Sequence, residues 1–169
     1  MIVLTPHPDD TNLSVGCAVV TVSDTRTPDT DRSGQKIQHL LREHGHTIAA
    51  YTILKDDPIA IRAQLQALNQ DPAIAVVIVN GGTGIAPRDT TFDAIAQVLD
   101  KTLPGFGEIF RFLSYQDIGS RAMASRAIAG TYGRQLLFSL PGSTNAVTLA
   151  MEKLILPELT HLVKQLRAD

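Results

Sequence analysis

The runs Cys17 to Val22 and Ile74 to Val79 are continuous stretches of β-branched and apolar residues. A strand with one wet face alternates polar and apolar residues. These runs do not, so each must be covered on both faces, the state of a strand inside a parallel sheet. Ile48 to Leu54 and Gln135 to Leu140 read as two further strands. Between the strands the apolar spacing becomes helical. Ile37, Leu40 and Leu41 recur on a helix that Ser33 can cap and Gly45 stops. Ile61, Leu65 and Leu68 stripe a helix opened by Asp57-Pro58, and Phe92, Ile95, Val98 and Leu99 stripe a third. Pro104-Gly105 breaks that helix, and the next carries Phe106, Ile109, Phe110 and Leu113 on one face. The small-residue stretch Ala122 to Ala129 fits a strand or an irregular segment. Pro141-Gly142-Ser143 turns into a long final helix, which Pro157 kinks or divides. Strands alternating with helices predict an α/β fold: a single three-layer domain with a mainly parallel sheet and helices on both faces.

A chain of 169 residues suits one domain. Residues 1–14, with prolines and acids and no periodicity, read as a flexible arm, and 15–169 as the domain. Hydrophobic residues make up 44% of the chain, enough to exclude disorder as its main state. A net charge of -2 argues against general nucleic-acid binding as the main role. No stretch approaches the ~20 apolar residues of a membrane span, and the start has no basic, signal-like segment, so a cytoplasmic location is expected. The single thiol, Cys17, lies in an apolar run and reads as a small buried hydrophobe. His44 and His46 straddle Gly45 and present no metal face. Tyr51, Tyr115 and Tyr132 read as half-buried aromatics.

The residues with unusual chemistry all follow strands. Ser23-Asp24 ends the first, Asp56 the second, Asn80-Gly81-Gly82-Thr83-Gly84 the third and Pro141-Gly142-Ser143 the last. In open α/β sheets ligands bind outside the carboxyl ends of the strands. Glycines let backbone N–H groups approach an anion, although this run has neither the dinucleotide nor the Walker spacing and also fits a plain turn. Arg88 offers a fork of donors suited to phosphate. Asp89 and Asp56 are carboxylates of the kind that hold magnesium beside phosphate. Asp57 has a structural role as a cap before Pro58. Asp56 has no such role in the local sequence. Ser23 and Asp24 fit a polar ligand or a turn equally well.

These segments resemble the MoaB/Mog family of molybdenum cofactor biosynthesis proteins. The resemblance rests on Thr21-Val22-Ser23-Asp24, Asn80 to Gly84, Pro87-Arg88-Asp89, Pro104-Gly105-Phe106-Gly107-Glu108, Ser125-Arg126-Ala127 with Gly130, and Leu140-Pro141-Gly142-Ser143. The stretch from Phe106 to Arg111, continued by Leu113-Ser114 and Ile118-Gly119, is most similar to the B branch. The resemblance implies adenylylation of molybdopterin by ATP and Mg²⁺, with release of pyrophosphate. It assigns Asp56 and Asp89 as the catalytic and metal-holding acids. It assigns Ser23, Asp24, Gly81, Gly82, Thr83, Gly84, Arg88, Ser125, Arg126, Pro141, Gly142 and Ser143 to substrate binding. It further implies a homo-oligomer, trimeric or hexameric, and partners among other molybdenum cofactor enzymes. Asn80 stands where threonine is common in the family, and Phe92 where a helix-opening proline is common. A molybdopterin carrier without chemistry is the competing function, and a structural subunit on the same fold is a third. The intact pair of acids favours the enzyme.

Overall fold

Alternate side chains of the central strands enter two different cores, as strands covered on both faces require. In the computed structural model, which describes residues 13–168, β1 (Gly16–Val22) sends Cys17 and Val19 to one face and Ala18, Val20 and Val22 to the other. β3 (Val76–Asn80) divides in the same way, Val76 and Ile78 against Val77 and Val79. β6 (Gln135–Leu140) sends Leu136, Phe138 and Leu140 one way and Leu137 the other. The first face is covered by α1 (Arg32–Glu43), α4 (Pro104–Ile118), α5 (Thr144–Ala150) and α6 (Leu156–Arg167). The second is covered by α2 (Pro58–Asn69) and α3 (Thr91–Val98). This is the expected three-layer α/β domain. Most of the arm assigned to residues 1–14 lies outside the described residues.

The sheet order is β2-β1-β3-β6-β5-β4, where β2 is Thr47–Leu54, β4 Lys101–Thr102 and β5 Ile128–Tyr132. β2, β1, β3 and β6 are parallel, while β5 runs antiparallel to β6 and β4 antiparallel to β5. The chain steps outward from β1 to β2 and then crosses to the other side of β1 for β3. That reversal opens a crevice at the carboxyl ends of β1 and β3, the usual ligand position in open α/β sheets.

Local chemistry accounts for several helix ends. Asp57 caps α2, its side chain accepting from Ile59 N at 2.8 Å, with Pro58 at the first helical position. Pro157 divides the last helix: it has no N–H, and its ring would meet the carbonyl of Lys153 in a regular turn. The chain widens there into a π turn, Met151–Ile155, with Leu156 N–H bonded to the Met151 carbonyl. Three expectations are corrected. The cap of α1 is Asp31, which accepts from Gly34 N at 3.0 Å, and Ser33 lies within the first turn. On α4, Phe110 is buried and Phe106 packs against the core, but Ile109 is half exposed and points away from it. Segment 117–133 resolves into the end of α4, a 3₁₀ turn (Gly119–Ala124) and β5. Cys17 is fully buried, and burial pushes its thiol up to about 12, which fits a packing role. Tyr115 is exposed rather than half-buried.

Candidate functional site

The loops after β1, β2, β3 and β6 meet at one end of the sheet. Glycine makes the meeting possible at two positions. Gly81 has φ 98°, and a side chain there would run into the Val22 carbonyl. Gly82 has φ 62°, and a Cβ would run into Thr91 Oγ1 and Asp56. Asp56 and Asp89 therefore lie against successive parts of one glycine loop, Asp56 over Gly82 and Asp89 over Gly84. Thr83 between them is buried.

Asp56 does have a structural role, one that reaches far along the chain. Its Oδ1 accepts from Thr90 N (3.1 Å), Thr90 Oγ1 (2.7 Å) and Thr91 Oγ1 (3.3 Å), and its Oδ2 takes a longer bond from Thr90 N (3.3 Å). Thr90, at the start of α3, makes no cap bond of its own. Asp56 thus caps α3 from another loop, and its charge suits the positive end of the helix. Asp89 braces its own turn, Oδ2 accepting from Ala86 N at 3.2 Å.

Arg88 is paired with Asp24 across the crevice, and Asp24 Oδ1 also accepts from Asp56 N at 3.3 Å. Arg88 is thus partnered already, while its side chain remains 69% exposed. Ser23 accepts from Thr25 N and Arg26 N and so makes a turn. Arg126 donates to the Gly84 carbonyl at 3.2 Å and to Asp93 Oδ1 at 2.6 Å, and its guanidinium stacks 4.4 Å over the Phe92 ring. Phe92, which departs from the family pattern, therefore steadies an arginine bound to the glycine loop. Ser143 caps α5, accepting from Ala146 N at 3.2 Å.

The candidates do not share one cavity. Asp89 and Arg126 line a cleft of about 420 Å³ with Arg62 and Asp93. Ser125, Pro141 and Ser143 line another of about 570 Å³ between α4 and α5. Ser23 and Asp24 border a third, beside β2.

Among the described residues no group of three or more His, Cys, Asp or Glu is placed to hold a metal. Two carboxylates against one glycine loop are nevertheless a donor set that magnesium takes with a nucleotide, since it keeps waters and phosphate oxygens for its other positions. Most hydrogen bonds to Asp56 fall on Oδ1, which leaves Oδ2 the freer oxygen. Asp56 and Asp89 therefore fit such an ion.

Two residues that tie the surrounding loops together escape a reading by motif: Arg26, which donates to the Gly142 carbonyl at 3.0 Å, and Asp31, which accepts from Arg26 at 3.3 Å. The available signal was Gly34 in the first turn of α1, where a Cβ would meet Asp31 and Thr21.

Comparison with known proteins gives a consistent result. The family model described as "Probable molybdopterin binding domain" matches residues 18–161. "Molybdenum cofactor biosynthesis protein B" of Bacillus cereus is 51% identical over 164 residues, 96% of this chain and 97% of that one. A crystal structure of molybdenum cofactor biosynthesis protein B superposes with a TM-score of 0.89 at 53% identity, covering 91% of this chain and 96% of that one. The tungsten cofactor synthesizing protein MoaB from Pyrococcus furiosus follows with a TM-score of 0.81 at 36% identity, over 92% and 98% of the two chains. Among the described residues no helix is long and apolar enough to cross a membrane. With its sheet order, its glycine loop and these likenesses in agreement, the chain belongs to the MoaB family of molybdenum cofactor biosynthesis proteins.

Proposed function

We propose that the protein acts in molybdenum cofactor biosynthesis by adenylylating molybdopterin. The observation that supports this most is the placement of Asp56 and Asp89 against one glycine loop, with Arg88 held across the crevice by Asp24. In the reaction a terminal phosphate oxygen of molybdopterin attacks the α-phosphorus of ATP. A new P–O–P linkage forms, the bond between the α- and β-phosphates breaks, and pyrophosphate leaves. Two anions must be brought together, so the protein's task is alignment and charge neutralisation, and no protein nucleophile is needed. Magnesium, when bound through Asp56 and Asp89, supplies charge neutralisation on the ATP phosphates. Arg88 keeps a fixed positive charge at the mouth of the crevice. The backbone from Gly81 to Gly84 carries no side chain that would bar a phosphate, apart from buried Thr83.

A carrier without chemistry is the second reading. It is favoured by the structural roles of the same groups, with Asp56 capping α3, Asp89 bracing a turn and Arg88 paired. Magnesium separates the two readings. The enzyme releases pyrophosphate only with ATP, Mg²⁺ and molybdopterin together, while molybdopterin binding survives chelation. Tight molybdopterin binding with no pyrophosphate release under any salt or pH would make the chain a carrier.

The resemblance also implies self-association. The support for it is an exposed apolar face on α4 and the following turn: Ile109, Phe112, Tyr115, Ile118 and Met123. We assign this face to contact with other copies of the chain, in a trimer or hexamer.

A further inference from the structure

Three of the four loops that meet at the crevice are tied to one buried carboxylate outside every motif above. Asp31 is fully buried. Its oxygens accept from Thr21 Oγ1 (2.6 Å), Tyr51 Oη (2.7 Å), Gly34 N (3.0 Å) and Arg26 Nη1 (3.3 Å). Arg26 Nη1 also donates to Ser33 Oγ, and Ser33 donates to Asn80 Oδ1 at 2.7 Å. Asn80 is the last residue before the glycine loop and donates to Thr21 Oγ1 at 2.9 Å. The other end of the guanidinium leaves this network. Arg26 Nη2 donates to the Gly142 carbonyl at 3.0 Å, 116 residues along the chain. Gly142 in turn lies so close to Gly81 that a Cβ on it would stand 3.1 Å from Gly81 Cα.

We propose that Arg26 is a positioning residue that sets the spacing between the β1–α1 loop and the β6–α5 loop, and with it the fit of the phosphate-bearing substrate. The substrate's identity rests on the reading above; the positioning does not. A buried carboxylate without a cation is costly, so Asp31 holds Arg26 firmly. The guanidinium is a rigid planar fork, so fixing Nη1 fixes where Nη2 points. The acceptor at that point is a backbone carbonyl on a planar trans peptide, so holding the Gly142 oxygen also fixes the orientation of the Gly142–Ser143 peptide. Lysine has a single mobile ammonium on a flexible stem and cannot span both ends.

The test uses the full chain with Arg26→Gln and Arg26→Lys. Amide hydrogen exchange at Ala146 and Val147, whose N–H groups are held by Ser143 Oγ and the Ser143 carbonyl, should quicken about tenfold in both variants, equivalent to about 1.4 kcal/mol, while the hairpin at Gly133–Arg134 exchanges as in wild type. In pyrophosphate release, KM for molybdopterin should rise about tenfold, and kcat should stay within about twofold, because the acids are untouched. Arg26→Lys should recover the melting temperature but not KM, which a merely structural role would not produce. Should Arg26→Gln fail to fold, Arg26→Lys carries the same measurements. Unchanged exchange at Ala146 and Val147, or full recovery of KM by lysine, overturns the proposal. If the wild-type protein releases no pyrophosphate, the adenylylation reading falls, and the exchange experiment still decides the role of Arg26.

Discussion

Asp56→Asn separates the two roles of one carboxylate. The side chain caps α3 through Thr90 and Thr91 and, on the reading above, holds magnesium. Asparagine keeps an acceptor oxygen in place, so the cap survives with neutral bonds. Charge-assisted bonds are about twice as strong as neutral ones, and a cap is worth about 1 kcal/mol in all. The stability cost is then about 1 kcal/mol or less, a fall in melting temperature of about 2–4 °C. The catalytic cost is of another order, because removing one charge-stabilising group typically lowers kcat by about 10²-fold or more. Asp56→Ala removes the acceptor as well. Its penalty adds an unsatisfied Thr90 N–H, about 1–3 kcal/mol, to the lost cap. Melting followed by circular dichroism, set beside pyrophosphate release, should therefore show asparagine folded and inactive, and alanine both destabilised and inactive. Asp89→Asn should be inactive with less loss of stability, since it braces only a local turn. Wild-type turnover by the asparagine variants, with only alanine impaired, would refute a catalytic role and leave Asp56 as a cap.

Gly82→Val is expected to cost more than a ligand contact: at φ 62° its side chain meets Thr91 and Asp56, so melting should fall by several degrees or expression should fail, and a stable variant would show that the loop yields easily. Acid should weaken the fold in two stages, followed by melting against pH. His46 Nδ1 accepts from Val15 N at 3.3 Å, and burial followed by the nearby His44 lowers its pKa, so its share of stability is lost first, as pH falls below the ordinary value of about 6.5. At Asp31 burial raises the pKa, but hydrogen bonds from Thr21, Tyr51, Gly34 and Ser33 outweigh it and hold the carboxyl below its ordinary value of about 3.9, so the second loss begins only below that pH. His46→Gln should abolish the first stage alone. Phe112→Glu places a charge on the exposed face of α4, and light scattering should then give a mass near 18.2 kDa; a monomeric wild type would remove the basis for self-association.

What the sequence disclosed depends on the range of the interaction. The three central strands could be read because side chains two residues apart share a face, and each core is built from that spacing. The Asp57 cap and the division at Pro157 could be read because both act within a turn of helix. β4 could not, since Lys101 and Thr102 are only two exposed residues. β5 was obscured because its Ala129 and Gly130 fill little volume, and Gly130 is needed where the Lys101 carbonyl approaches. The site divides in the same way. That acids and glycines gather at one end of the sheet follows from strand order. That Asp56 caps a helix 34 residues away, or that Arg88 is paired with Asp24 64 residues away, follows only from tertiary placement.

Asn80 shows how a departure from family pattern can mislead when its direction is unknown. It stands at the start of the glycine loop, where a departure from the family pattern bears on ligand detail. In the structure it is fully buried and turns inward. Its amide nitrogen donates to Thr21 Oγ1 and to the Val20 carbonyl, its oxygen accepts from Ser33, and Thr21 passes its own proton on to Asp31. The donors run in one direction toward the buried carboxylate, which is how a chain of hydroxyls and amides satisfies an acid that water cannot reach. A hydroxyl at this position has one proton and cannot serve both Val20 and Thr21. The carboxamide here serves both acceptors within the network that carries Arg26, and its effect on the ligand passes through the placement of the loops.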